Sequence, residues 1–140
     1  MNSKKIILLL LITIGLLTSC SDDNDEQLSI IEGVWHIKNI SGGLAGINDT
    51  YTKDAIKWTF NNQKLTLTIV NNNPIDDTIY DGYASGVYHY SILESNHNFY
   101  LVIEDSEFGE ITLIQDNLTL DGNKSSVGNG ADLYILELER

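Results

Sequence analysis

Several things that usually define a function are scarce in this chain. It has one cysteine, one proline and one methionine in 140 residues. A lone thiol excludes an internal disulfide and any metal site that needs two cysteines. Lysine and arginine number 8 against 20 aspartates and glutamates, a formal net charge of −12. That deficit argues against nucleic acid, whose binding rests on cationic side chains neutralising phosphates. It argues equally against electrostatic docking on anionic lipid. The longest apolar run, Ile6 to Leu17, falls short of the about 20 residues that a membrane-spanning helix needs. His36, His89 and His97 show no metal-binding spacing such as H-x-x-x-H. There is no G-x-S-x-G nucleophile turn and no Gly-Lys-Ser/Thr phosphate loop. The expectation is no enzyme, no cofactor and no metal.

What is present begins with a graded N-terminus. Lys4 and Lys5 precede the apolar stretch IILLLLITIGLL, and the small residues Thr18 and Ser19 lead to Cys20. Positive charge, apolar core and small-residue cleavage site, in that order, are the parts of a secretory signal. Leu17-Thr18-Ser19-Cys20 also resembles the lipobox of bacterial lipoproteins. The resemblance implies cleavage after residue 19 and a diacylglyceryl thioether on Cys20, with palmitate-type acyl chains holding the protein to a membrane. Such a lipid accounts for a lone thiol in an exported protein, and two or more chains give stable anchoring where one does not. Residues 1–19 are thus expected to be a leader, 20–30 a lipidated cysteine and acidic tether, and 31–140 one folded domain. Without the leader the balance is 6 basic against 20 acidic residues, or −14. The run Ser21-Asp22-Asp23-Asn24-Asp25-Glu26 is too charged to pack. It resembles the surface-export signal of some Gram-negative lipoproteins, and it reads equally as a plain solvated linker.

After residue 27 no helical periodicity of useful length occurs. Short β-rich runs alternate with Asn, Asp and Gly. They are Ile31 to Ile40, Ala55 to Phe60, Lys64 to Val70, Ala84 to Ile92, Phe99 to Glu104, Glu110 to Gln115, Asn117 to Asp121 and Leu133 to Glu139. Gly33, Trp35 and Ile37 share one face of the first run. In the third, Leu65, Leu67 and Ile69 alternate with Lys64, Thr66 and Thr68, a period of two. Asn61-Asn62 reads as a tight hairpin, Asn71 to Asp77 as a loop around the only proline, and Asp105 to Gly109 as a turn. No helical crossovers separate the runs, so a parallel sheet is disfavoured. The expected fold is all-β, an eight-stranded antiparallel up-and-down meander closed into a barrel. A two-sheet sandwich is the alternative.

Gly33-Val34-Trp35 on the first run and Arg140 at the end of the last resemble the lipocalin group, more closely the small lipocalin-like domains of bacterial lipoproteins. The resemblance covers about 31–140 in architecture but few residues in motif. It implies that the indole of Trp35 sits at the closed end with the arginine packed over it. Strand parity agrees, because Arg140 falls in phase with Leu136 and Leu138 while Glu137 and Glu139 take the wetter face. The resemblance also implies a small apolar ligand inside the barrel, and Trp58, Phe60, Tyr88, Tyr90 and Phe99 are the aromatic candidates to line that cavity. They could equally fill it, since eight strands leave little more than room for their own side chains. Two functions follow: binding of a small apolar molecule, or a surface module with a filled core that docks on another envelope protein. Ser41 to Asp54, with three glycines, reads either as a lid over the open end or as a surface loop. Glu104, Asp105, Glu107 and Glu110 read as a solvated acidic turn. Asp121 to Asp132 lacks calcium-loop spacing, with Ser126 where glycine is expected. Asp77-Thr78-Ile79 resembles a short bacterial O-glycosylation motif, which implies a glycan on Thr78; a chance tripeptide is the other reading. The expected location is the outer membrane, with surface exposure suggested by the acidic run.

Overall fold

A computed structural model describes residues 29–73 and 78–140. The leader, Cys20, the acidic run and Asp77 lie outside the described residues. A 3-10 turn, Ser29–Ile31, leads into eleven strands: β1 (Gly33–Gly42), β2 (Ile47–Thr50), β3 (Ile56–Asn61), β4 (Thr66–Asn71), β5 (Gly86–Ser95), β6 (Asn98–Ile103), β7 (Ser106–Ile114), β8 (Asn117–Asp121), β9 (Lys124–Ser125), β10 (Gly128–Asn129) and β11 (Tyr134–Glu139). No α-helix occurs among the described residues.

Strands β3 to β8 pair with their sequence neighbours, all antiparallel, and β11 follows β8. β11 then pairs with β1, from His36↔Glu139 to Gly42↔Tyr134, which closes an eight-stranded barrel. Closure pairs β11 with β1 and, among the described residues, leaves only the short β2 as an edge, which is what a meander of short strands needs to avoid exposed edge groups. It also excludes the two-sheet sandwich. The core follows from period-two alternation. Trp35, Ile56, Trp58, Phe60, Leu67, Ile69, Leu101, Ile103, Leu118, Leu120, Leu136 and Leu138 all point inward and are buried.

Two bulges adjust that alternation. Between Ile37 and Asn39 the β1–β11 register shifts by one, so Ile37 and Ile40 both face the core although they lie an odd three positions apart. On β7 the register slips where Leu101↔Gly109 gives way to Val102↔Glu107. Phe108 is the extra residue and packs against the core. A Cβ at Gly109 would run into the carbonyl of Asp121, so only glycine fits there.

Some expected boundaries move. The β3–β4 loop spans four residues, because Asn61 pairs with Thr66. Leu65 takes a positive φ and is partly exposed, out of phase with Leu67. The β6–β7 turn is Glu104-Asp105, both at positive φ, rather than Asp105 to Gly109. Ser41 to Asp54 is not a lid. β1 runs on to Gly42, and β2 returns along it, from Asn39↔Thr50 to Gly42↔Ile47. Gly122 to Asp132 contains the small β9–β10 hairpin.

Candidate functional site

The barrel has two dissimilar ends. One carries the turns β3–β4, β5–β6 and β7–β8, the entering 3-10 turn and Arg140. The opposite end, the mouth, carries the longer connections. At the first end, Trp35 Nε1 donates to Ile31 O at 2.8 Å, which folds the entering chain under the barrel. Arg140 lies over the Trp35 ring, with Cζ 4.3 Å from the centroid. Its Nη2 donates to Ile30 O at 3.0 Å and to Glu32 O at 3.1 Å. A planar guanidinium can stack and hydrogen-bond at once, which an ammonium cannot do in this geometry. The backbone N–H of Arg140 also bonds Asp116 O, so the residue is held at both ends. Gly33, at φ +108, begins the strand that presents Trp35.

The mouth is plugged from within the chain. Residues 78–85 form the end of the β4–β5 connection; sequence reasoning passed over Tyr80 to Tyr83 because a loop carries no period, and its fourth run begins at Ala84 where β5 begins at Gly86. Tyr83 packs edge-on against Trp58, with centroids 6.0 Å apart, and lies 6.3 Å from Phe108. Gly82, at φ +91, sits over Ile37 and Ile40. Tyr80 stacks on Tyr134 at 3.9 Å with the rings 9° from parallel. Burial pushes the Tyr51 phenol up to about 12, aided by Asp49 and Asp81. Burial, then the neighbouring Tyr83 and Tyr134, raises Tyr80 further.

The five aromatic candidates divide. Trp58, Phe60 and Tyr90 fill the barrel, with Phe60 and Tyr90 edge-to-face at 5.1 Å and Trp58 and Phe60 at 6.2 Å. Tyr90 donates its hydroxyl to Asn62 Oδ1 at 2.6 Å, and burial, with Glu32 nearby, lifts it to about 12. Tyr88 is half-buried against Tyr83 and donates to Ala84 O at 2.9 Å. Trp58 Nε1 is buried without a hydrogen-bond partner. Only Phe99 faces open space. It lines an apolar groove of about 240 Å³ together with Ile30, Ile31, Ile92, Ile111 and Leu113. The groove lies at the Arg140 end, between the 3-10 turn and the inner faces of β5, β6 and β7. A wider surface groove of about 470 Å³ runs between β2 and Thr78-Ile79 at the mouth. Thr78 is partly buried on its edge, beside the exposed Ile79.

The acidic residues near β7 do not converge. Glu104 accepts from His89 N at 2.7 Å, Glu107 from Ser126 N and Oγ at 2.6 Å each, and Glu110 pairs with Lys124 at 2.8 Å. Glu104 braces strand β5, while Glu107 and Glu110 both hold the β9–β10 hairpin. His89 is exposed on the outer face, as its alternation with Tyr88 and Tyr90 requires. His36 Nδ1 lies 3.2 Å from Asp54 Oδ1, but without the alignment of a hydrogen bond. No group of three or more His, Cys, Asp or Glu side chains suited to a metal occurs among the described residues.

Fold and geometry together define a class: a small closed antiparallel β-barrel, compatible with a calycin or lipocalin-like fold. No protein-family model matches the chain, and neither curated proteins nor solved structures give a match.

Proposed function

We propose that this protein is a lipid-anchored, non-catalytic lipoprotein of the outer membrane, exposed at the surface, whose lipocalin-like barrel binds an apolar chain at the end nearest its anchor. The anchor is supported by the order of charge, apolar run, small residues and Cys20. The observation that carries the binding reading is the groove under the 3-10 turn, in which all six lining side chains are apolar. Its about 240 Å³ is small beside the roughly 300–1,000 Å³ of pockets for compact ligands. At about 30 Å³ for a water-sized group, it suits some eight methylenes of a straight chain better than a ring system. The ligand therefore enters from the turn-bearing end, while the interior behind the mouth belongs to Trp58, Phe60 and Tyr83.

The test is titration of residues 21–140 with a medium-chain fatty acid, following the methyl signals of Ile111 and Leu113 by NMR. One saturable equivalent that shifts those signals is expected. Saturable binding that shifts only core signals around Trp58 and Leu67, or no binding at all, refutes the site. A second reading, a filled scaffold whose mouth docks on another envelope protein, is favoured by one observation: Tyr83 packs on Trp58 at the mouth, and Tyr51, Tyr80 and Tyr134 also pack against the core there. Substitutions at the exposed Ile79 that abolish an envelope interaction while sparing fatty-acid binding would favour it.

A further inference from the structure

The groove and the anchor lie on the same stretch of chain. Ile30 and Ile31 form one wall of the groove, and Cys20 precedes Ile30 by ten residues. Ten residues reach at most about 36 Å when extended, so an acyl chain on Cys20 can return to the groove without a long tether. The entering chain is pinned there. Arg140 holds the carbonyls of Ile30 and Glu32, and Trp35 holds that of Ile31. Ile30 nevertheless remains 39% exposed on the groove's rim. Nearby on the same end, Val34, Leu93 and Ile114 are exposed as well. The apolar opening thus lies at the same end of the barrel as the 3-10 turn that begins at Ser29.

Resting on the reading of Cys20 as a lipid anchor, we propose that in the native protein the groove is occupied by one acyl chain of that same lipid. The remaining chains stay in the bilayer. The barrel then stands on the membrane by its turn-bearing end, with the tyrosine-rich mouth pointing away. The groove is too small for a whole long chain, so the chain enters part-way and its carboxyl-derived end stays outside, beside the 3-10 turn.

The experiment uses the full chain, expressed in a bacterium that processes lipoproteins and is fed a palmitate analogue with a mid-chain diazirine. The purified protein is placed in phosphatidylethanolamine and phosphatidylglycerol vesicles and irradiated. Intact mass shows whether Cys20 carries lipid, and peptide mass spectrometry maps the cross-links. Cross-links are expected several-fold more often in the segments holding Ile92, Phe99, Ile111 and Leu113 than anywhere else. I111W, which fills the groove, should cut them several-fold while the thermal midpoint stays near that of the parent. The parent map decides the matter even where I111W fails to fold. Lipid on Cys20 with cross-links only to vesicle phospholipid, to another copy of the chain or to the outer strand faces overturns the docking alone. No lipid on Cys20 overturns the anchor reading and the docking with it.

Discussion

Replacing Tyr83 by alanine tests whether the mouth is plugged. Truncating a fully buried aromatic typically costs about 3–5 kcal/mol. Tyr83 is half-buried, so roughly half of that applies. Its ring contacts, edge-on to Trp58 and Tyr88 and tilted to Phe108, add about 0.5–1.5 kcal/mol each when well formed. Part of the loss returns, because water admitted behind the plug can accept from Trp58 Nε1, which is buried and unpaired; such a donor costs about 1–3 kcal/mol. The net expectation is about 2 kcal/mol. For a barrel of this size that lowers the thermal midpoint by about 8 °C, at roughly 4 °C per kcal/mol. Circular dichroism against temperature measures it. Titration with an apolar dye should then show a second site in Y83A, with Trp58 fluorescence quenched on binding, where the parent shows none at that end. Y83F keeps the ring and should lie within about 0.5 kcal/mol of the parent. A midpoint unchanged in Y83A, with no new dye site, would refute the plug.

Three further outcomes follow from single contacts. R140A should cost about 2 kcal/mol by losing the stack on Trp35 and the bonds to two carbonyls, and R140K should recover less than half; chemical denaturation and hydrogen exchange at the 3-10 turn measure both. G109A should cost about 2 kcal/mol or more, because the added methyl meets the Asp121 backbone at the bulge; a stability within about 0.5 kcal/mol of the parent would mean the bulge is not fixed by Gly109. Burial holds the Tyr51 and Tyr90 phenols near 12, against about 10 in the unfolded chain. Between those values the unfolded state has released protons that the folded state keeps, so stability is fully present below pH 10 and falls as pH rises towards 12. Thermal midpoints and tyrosinate absorbance across that range check it, and Y90F should flatten the fall.

The architecture was readable because alternation survives in a sequence. Ile56, Trp58 and Phe60, and then Leu67 and Ile69, announce inward faces through spacing alone. The lipocalin resemblance implied Arg140 over Trp35, strand parity put Arg140 in phase with Leu136 and Leu138, and the structure brings Arg140 onto Trp35. Features without a period were missed. Tyr80, Gly82 and Tyr83 act from a loop, and only the density of tyrosine in IYDGY hinted at burial. Gly109 suggested the end of a turn, but it serves a bulge, and a glycine alone does not distinguish the two. Ser29 and Ile30 were assigned to the tether because a 3-10 turn of three residues leaves no pattern. That last miss matters most for the site, since Ile30 forms part of the groove's rim. Ile92, Ile111 and Leu113 read as ordinary strand residues, and nothing local marks the space between them.

The energetics of the docked acyl chain decide which form of the lipid it requires. Moving about eight methylenes from bilayer to groove exchanges one apolar environment for another, so their transfer worth, about 0.8 kcal/mol each, cancels to first order. What remains is the groove's own wall. Ile30, Ile92, Phe99, Ile111 and Leu113 lose contact with water when the chain enters, which favours docking in proportion to the apolar area covered. The consequence falls on the anchoring, because docking leaves one chain fewer in the bilayer. A single chain gives only marginal, reversible membrane binding, whereas two anchor stably. A cysteine carrying three chains can therefore commit one to the groove and remain anchored. A cysteine carrying only the diacylglyceryl pair would trade stable anchoring for docking. The cross-link at Ile111 and Leu113 should accordingly be strong in a host that also acylates the Cys20 amine, and weak in one that does not, with both preparations equally lipidated at the sulfur.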